Sequence, residues 1–316
     1  MPNVGILGLG IHLPKKVLTN FDLEKMVETT DEWIRTRTGI SERRVAGADE
    51  KTSDLATAAA KQALADAKLD AADVDLIIVA TISPDSNFPA VACIVQKNIG
   101  ASKAIAFDVS AACSGFLFAL TTAKQYILSG MCKSALVIAA EKITCLVDWS
   151  DRSTCVLFGD GAGACVIGPV KEGGIIADYM LAYGEQGELM KVTYNPDSHK
   201  PRIDMQGQEL FKVAVNSMAE AVEVVLEKAG LTKADVKWVV PHQANDRIIS
   251  AVAKKLDLPK EIIFMNIDKY GNMSAASTAV ALYEAAKSGK IKKGDVVVLV
   301  TFGAGLVAAA NVVKWS

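Results

Sequence analysis

Apolar residues in this chain gather in short unbroken runs, and between the runs they recur every three to four positions. Residues 76–80, 137–140 and 298–302 are such runs, and each reads as a strand buried on both faces. The intervening segments predict helices: a charged one over 21–40, an alanine-rich one over 52–68 and a shorter one near 90–99. Residues 3–13 predict a strand with glycines. Strands alternating with helices imply a mostly parallel sheet with helices on both faces, an α/β fold.

One unit differs from the rest. Residues 106–112 pass from apolar to small side chains, Cys113 follows, and a helical pattern continues to Ser129 and Gly130. The pattern predicts strand, tight turn and helix, with Cys113 at the helix start. Free backbone N–H groups and the helix dipole favour negative charge there, so the thiol is expected to lean toward thiolate, the attacking form. From Phe116 to Leu120 every position is apolar, as in a helix surrounded by protein. Most free cysteines are simply small buried hydrophobes, and this unit alone does not decide between the two roles.

The second half repeats the first. Ala234-Asp235-Val236-Lys237 and the run after it match Ala72-Asp73-Val74-Asp75 and its strand at an offset of 162. Ser288-Gly289 before Val296 matches Ser129-Gly130 before Val137 at an offset of 159. One αβ unit is therefore duplicated, dividing the chain into residues 1–170, with Cys113, and 171–316. The second offset maps Cys113 onto Asn272, in the turn opening the equivalent helix. A pseudo-twofold would bring both to one cavity between the halves. His242, at the C-terminal end of a second-half strand, is placed to reach it.

Composition narrows the field. With 316 residues, 51% of them hydrophobic, the chain can bury one large core or two packed lobes. A net charge of −2 without long single-sign runs gives no footprint for nucleic acid or an anionic membrane, and neither is expected as a partner. The six cysteines lack C-x-x-C spacing and His12, His199 and His242 lie far apart, which argues against a metal site and a disulfide framework. No basic region precedes the first apolar stretch and no apolar run reaches the roughly eighteen residues of a membrane span, so a soluble cytoplasmic protein is expected. Gly8-Leu9-Gly10 lacks the helix start a dinucleotide loop needs. Gly159-Asp160-Gly161-Ala162-Gly163-Ala164 runs into a strand-like stretch and reads as close backbone packing within the first half.

A cysteine, a histidine and an asparagine around one cavity admit two chemistries. In a papain-like hydrolase the histidine is a base and the asparagine orients it. In a Claisen condensing enzyme the cysteine carries an acyl group as a thioester, while histidine and asparagine donate hydrogen bonds to the carbonyl of a malonyl thioester. Those bonds stabilise the enolate left by loss of CO₂, and one such donor is worth roughly 3–4 kcal/mol. Asn272, on a helix start opposite the nucleophile, favours the donor role. A packed core histidine and an asparagine helix cap are the plain alternatives, and the repeat relation weighs against both. After the run at 298–302, Gly303-Ala304-Gly305 lets backbone N–H groups approach an acyl oxygen. Gly305 and Cys113 are the expected oxyanion hole, with a simple tight turn as the competing reading.

The residues quoted so far lie among longer motifs: Asp31-Glu32-Trp33-Ile34, Arg37-Thr38-Gly39-Ile40, Phe158-Gly159-Asp160-Gly161, Phe211-Lys212-Val213, Pro241-His242-Gln243-Ala244-Asn245 and Gly271-Asn272-Met273-Ser274. With these the chain resembles, over essentially its whole length, the β-ketoacyl-[acyl-carrier-protein] synthase III family of condensing enzymes. The resemblance implies a duplicated thiolase-like fold layered α-β-α-β-α, and a triad of Cys113, His242 and Asn272. It implies an initiating condensation of a short acyl-CoA with malonyl-acyl carrier protein, with acyl-CoA as a substrate and no resident cofactor. The CoA adenine would stack between Trp33 and Arg152, with Arg37 and Thr38 near the phosphates and Gly207, Phe211 and Asn245 along the tunnel. An acidic carrier protein would dock on Gln243, Ala244, Asn245, Asp246, Arg247, Lys212, Lys254 and Lys255. The family is dimeric, and Phe88 resembles the residue that floors the partner's acyl pocket. Leu306-Val307-Ala308-Ala309 departs from the family pattern, which puts the starter in question; a longer, branched or dicarboxylic starter for a specialised pathway is the alternative.

Overall fold

The computed structural model describes residues 3–194 and 200–316; His199 lies outside them. The first sheet contains β1 (Asn3–His12), β2 (Leu76–Ala80), β3 (Ile105–Val109), β4 (Ala135–Glu141) and β5 (Gly161–Val170), in the spatial order β1-β5-β4-β2-β3. Strand β2 runs parallel to β3 and β4, and β5 is antiparallel to β4 and β1. The second sheet contains β6 (Gly174–Ala182), β7 (Trp238–Pro241), β8 (Val296–Gly303) and β9 (Val307–Lys314), in the order β6-β9-β8-β7. Position for position, β6, β9, β8 and β7 stand where β1, β5, β4 and β2 stand, with the same strand directions. The counterpart of β3 has shrunk to one parallel bridge between Val239 and Ile263, because Pro259 and the turn Lys260–Ile262 leave too little extended chain.

The principal helices are α1 (Asp31–Thr38), α2 (Thr52–Ala67), α3 (Val91–Ile99), α4 (Gly115–Leu128), α5 (Gly207–Ala229), α6 (Asp246–Leu256) and α7 (Ala276–Lys287). Side chains alternate across each strand, so a fully apolar strand needs a cover on both faces. On β2, Ile77 and Val79 pack with Ala60 and Ala63 of α2 and Val95 of α3. Ile78 and Ala80 pack the other way, against Phe116 and Leu120 of α4 and Val280 of α7. Val298 and Val300 of β8 meet Val222 and Val225 of α5. The result is the five-layer α-β-α-β-α arrangement, with α4 and α7 sealed between the sheets. A polar link crosses the layers: Lys124 of α4 pairs with Asp178 of β6 at 2.6 Å, and Asn311 of β9 donates to Asp178 at 2.8 Å.

Two expectations are corrected. The helix expected over 21–40 is broken into Asn20–Leu23 and α1, because Thr30 caps α1 by accepting the N–H of Trp33 and so starts a new helix. The glycines at 159–163 do serve close packing, but across the halves. A Cβ on Gly163 would lie 2.5 Å from Ala279 Cβ, and one on Gly161 2.6 Å from Met273 Sδ. The partners belong to the second copy of the repeat, which adjacency in sequence does not reveal.

Candidate active site

Cys113 sits in the one-turn helix Ala112–Ser114 that precedes α4, and Ala112 adopts a left-handed φ of 45°. The equivalent point of the second half is built alike: Gly271, φ 63°, directly precedes Asn272. A Cβ on Gly271 would lie 2.7 Å from the Leu157 carbonyl, so this approach requires glycine. The Asn272 N–H donates to Leu157 O at 2.8 Å and Gly159 N–H donates to Asn272 O at 3.1 Å, fixing the turn to the first half. The Asn272 side-chain oxygen accepts the Ser274 N–H at 2.8 Å, which leaves its NH₂ free. His242 follows Pro241 at the end of β7, and its N–H donates to Val300 O at 2.8 Å.

All three side chains line one cavity of about 220 Å³, with Phe158, Leu210 and Phe302 among its apolar walls. The triad is nearly sealed: Cys113, His242 and Asn272 are 4%, 2% and 6% exposed. Burial pushes the Cys113 thiol up to about 12, with the Ser274 hydroxyl opposing and the Glu141 carboxyl adding to the rise. The expected lean toward thiolate is therefore reversed, since loss of hydration in this pocket outweighs the dipole of the helix start. Burial also holds the His242 imidazolium down to about 3. Burial thus disfavours the charged form of both groups, which line the same cavity. A second, smaller cavity of about 40 Å³ opens at Cys113 and is lined by Ile82, Ile143, Met190 and Ile203.

Trp33, Arg37, Thr38, Gly207, Phe211, Ala244 and Asn245 line the larger cavity with the triad. Arg152 lies over the Trp33 ring at 5.0 Å and Arg37 at 6.0 Å. A base between Trp33 and Arg152 needs two layers of about 3.5 Å each, so Arg152 must lift to admit one. Asn245 caps α6 through the Arg247 N–H and donates to Arg37 O at 3.2 Å, joining α6 to α1. Phe88 is 84% exposed, beside the cis Phe88-Pro89 bond, and is not among the lining side chains.

Gly303 packs against the nucleophile turn: a Cβ there would lie 2.8 Å from Cys113 N. One on Gly305 would meet Val307, and the Gly305 carbonyl faces Gly187. Val307 and Ala308, within the stretch that departs from the family pattern, open β9 and pair with Gly303 and Phe302. Arg247, Lys212, Lys254 and Lys255 are exposed on α5 and α6, and Asp246 is half-buried beside Gly39. Gln243 is corrected: it is 1% exposed and its side chain holds Pro241 O, Phe264 O and the Asn266 N–H, so it presents no docking surface. Two groups at the site were not anticipated, Glu141 and Ser274. The only signal for Glu141 was an acid directly after the apolar run at 137–140.

Duplicated halves, five layers and a thiol facing an imidazole and a carboxamide define a thiolase-fold condensing enzyme. The comparisons agree: residues 107–184 match the family model for 3-oxoacyl-[acyl-carrier-protein] synthase III, and residues 226–315 match the model for its C-terminal part. A β-ketoacyl-[acyl-carrier-protein] synthase III from Caldanaerobacter subterraneus subsp. tengcongensis is 54% identical, covering 99% of this chain and 98% of that protein. The crystal structure of the Aquifex aeolicus synthase III superposes with a TM-score of 0.95 at 52% identity, over 99% of this chain and 100% of that one. A priming β-ketosynthase of the R1128 polyketide pathway superposes with a TM-score of 0.96 at 35% identity, over 100% of this chain and 97% of that one. The chain belongs to the β-ketoacyl-[acyl-carrier-protein] synthase III family.

Proposed function

We propose that this protein condenses a short acyl-CoA with malonyl-acyl carrier protein, releasing CoA and CO₂ and giving the 3-oxoacyl-carrier protein that initiates fatty acid synthesis. One observation carries the reading: Cys113, His242 and Asn272 open on a single largely apolar cavity, two neutral donors facing one nucleophile. Cys113 Sγ attacks the acyl carbonyl, CoA leaves, and the acyl group rests as a thioester. The malonyl thioester then places its carbonyl oxygen against the Asn272 amide and the His242 imidazole, which stabilise the enolate as CO₂ departs. The enolate carbon attacks the acyl-Cys113 carbonyl, the C–Sγ bond breaks, and the departing Cys113 thiolate takes up a proton from solvent to return as the thiol. Neutral donors suit this step, because a charge poised on the imidazole would first have to be desolvated. Mass spectrometry after incubation with acetyl-CoA tests the reading: an acetyl adduct on Cys113 is expected, and no adduct with any short acyl-CoA overturns it.

The small cavity beside Cys113 supports a short starter. A specialised starter is the second reading, favoured by the likeness to the priming ketosynthase, and a panel of acyl-CoAs separates the two. A hydrolase would instead release free acid without a malonyl thioester. A homodimer completes the proposal: β3 is an unpaired sheet edge with Ile105 exposed, and Phe88 projects from a nearby loop. Light scattering of the purified protein tests it. The carrier protein is assigned to the exposed basic residues Arg247, Lys212, Lys254 and Lys255, and acyl-CoA to the entrance at Trp33, Arg37 and Arg152. All six cysteines are free, which suits a reducing cytoplasm, and among the described residues no helix is long and apolar enough to cross a membrane.

A further inference from the structure

Stabilising the enolate requires the His242 imidazole and the Asn272 amide to meet one oxygen, although they come from different segments of the chain. His242 Nδ1 is buried and has no hydrogen-bond partner among the described residues, so the backbone around His242 must aim the ring. That backbone is anchored by Gln243, whose side chain donates to Pro241 O and Phe264 O and accepts the Asn266 N–H at 3.0 Å. Asn266 is itself buried, and its side-chain NH₂ donates to one oxygen of Glu284 at 3.0 Å. The Asn272 turn is tied to the same group. It follows the one-turn helix Ile267–Tyr270, and the Tyr270 hydroxyl donates to the other Glu284 oxygen at 2.6 Å. Glu284 stands on α7, the helix that the Asn272 turn opens. A carboxylate presents two acceptor oxygens and no donor, so one group can hold an amide and a hydroxyl at once.

We propose that Glu284 is a positioning residue that holds the His242 and Asn272 donors in register for decarboxylation. Through Asn266 and Gln243 it steadies the chain leaving β7, and through Tyr270 it steadies the approach to Gly271 and Asn272. Glu284 lines a surface cavity beside Lys269 and Lys290 and is absent from both cavities at Cys113, so it acts only through these neighbours. Neither link touches the Cys113 turn, which belongs to the first half. Loss of the carboxylate therefore lets the two donors drift relative to each other while the nucleophile keeps its place. A misplacement of about 1 Å in a reacting site can cost on the order of 10²-fold in rate. No bond, proton or electron changes hands at Glu284.

The inference rests on the acyl-transfer reading above, and the two half-reactions keep them apart. Acetylation of Cys113 by acetyl-CoA is followed by quenched-flow mass spectrometry, and CO₂ release is followed on acetylated enzyme over a range of malonyl-acyl carrier protein concentrations. Glu284→Ala should lower kcat for CO₂ release about 10- to 100-fold, with its KM and the acetylation rate each within about threefold of wild type. Glu284→Gln should recover most of that loss. Its oxygen accepts the Tyr270 hydroxyl, and its NH₂ donates to Asn266 Oδ1, which has no partner among the described residues and needs only a turn of the Asn266 amide. Tyr270→Phe gives up one link and should fall about 3- to 10-fold in kcat, the worth of one hydrogen bond. A purely structural role would lower both half-reactions together, and that result overturns the proposal. CO₂ release at the wild-type kcat in Glu284→Ala, a loss confined to KM, or a Glu284→Gln as impaired as Glu284→Ala also overturns it. Tyr270→Phe keeps the buried ring and decides the matter should Glu284→Ala fail to fold: loss in CO₂ release alone sustains the proposal, and a wild-type kcat overturns it. Absence of any adduct on the wild-type protein would instead count against acyl transfer itself.

Discussion

Asn272 accepts the Ser274 N–H through its side-chain oxygen at 2.8 Å, so the turn that opens α7 decides which end of the carboxamide faces the cavity. Asn272→Asp keeps this acceptor and replaces the donor with a carboxylate. Acetyl-adduct formation on Cys113 is expected to persist, while CO₂ release from a malonyl thioester falls on the order of 10²- to 10³-fold, the loss of one oxyanion donor. Radiometric CO₂ release beside intact-mass spectrometry checks the split; equal loss in both would contradict it.

His242 and Glu141 give the fold opposite pH dependences. The unfolded imidazole takes a proton near pH 6.5 but the native one only near 3, so the unfolded state binds more protons in that window and stability falls as pH drops. The unfolded Glu141 carboxyl loses its proton near 4.5 but the native one near 7, so stability falls as pH rises through that range. The windows overlap between 4.5 and 6.5 and offset each other. Urea unfolding at several pH values across it should show stability rising with pH more steeply than wild type in Glu141→Gln, and less steeply in His242→Gln.

Lys124 and Asp178 are a buried ion pair, their side chains 10% and 15% exposed. Removing one partner strands the other charge. Asp178→Ala should cost about 3–5 kcal/mol in chemical denaturation, while the double variant Lys124→Met/Asp178→Leu should recover most of it.

Gly163 holds the halves together by its missing side chain. Gly163→Ala places a methyl 2.5 Å from Ala279 Cβ and 2.9 Å from the Ala279 carbonyl carbon on α7. A loss of about 1–3 kcal/mol is expected, read as a lower Tm. Because α7 follows the Asn272 turn, decarboxylation should drop more than acylation.

Trp33→Ala removes the ring beneath Arg152 without touching the triad. The KM for acyl-CoA should rise about 5- to 30-fold, the worth of roughly 1–2 kcal/mol of stacking, with little change in kcat at saturation.

The strands, the duplicated order and the meeting of Cys113, His242 and Asn272 at one cavity were legible because each rests on local physics. Unbroken β-branched runs must be buried on both faces, and a repeated αβ unit must build its cavity from equivalent turns, so an offset of 159 carries Cys113 to Asn272. Tertiary structure decided what depends on the surroundings. The ionisation of Cys113 follows from how much water the pocket excludes, which overrode the helix-start argument. Gly303 meets the Cys113 turn at the end of β8, and Gln243 turns inward because Pro241, Phe264 and Asn266 offer it partners. Glu141 and Ser274 lie 133 positions apart, and both are buried only once the two halves have packed. Sequence patterns fix which face of an element is apolar; which groups meet across a sealed interface, and so lose their water, is settled when the layers close.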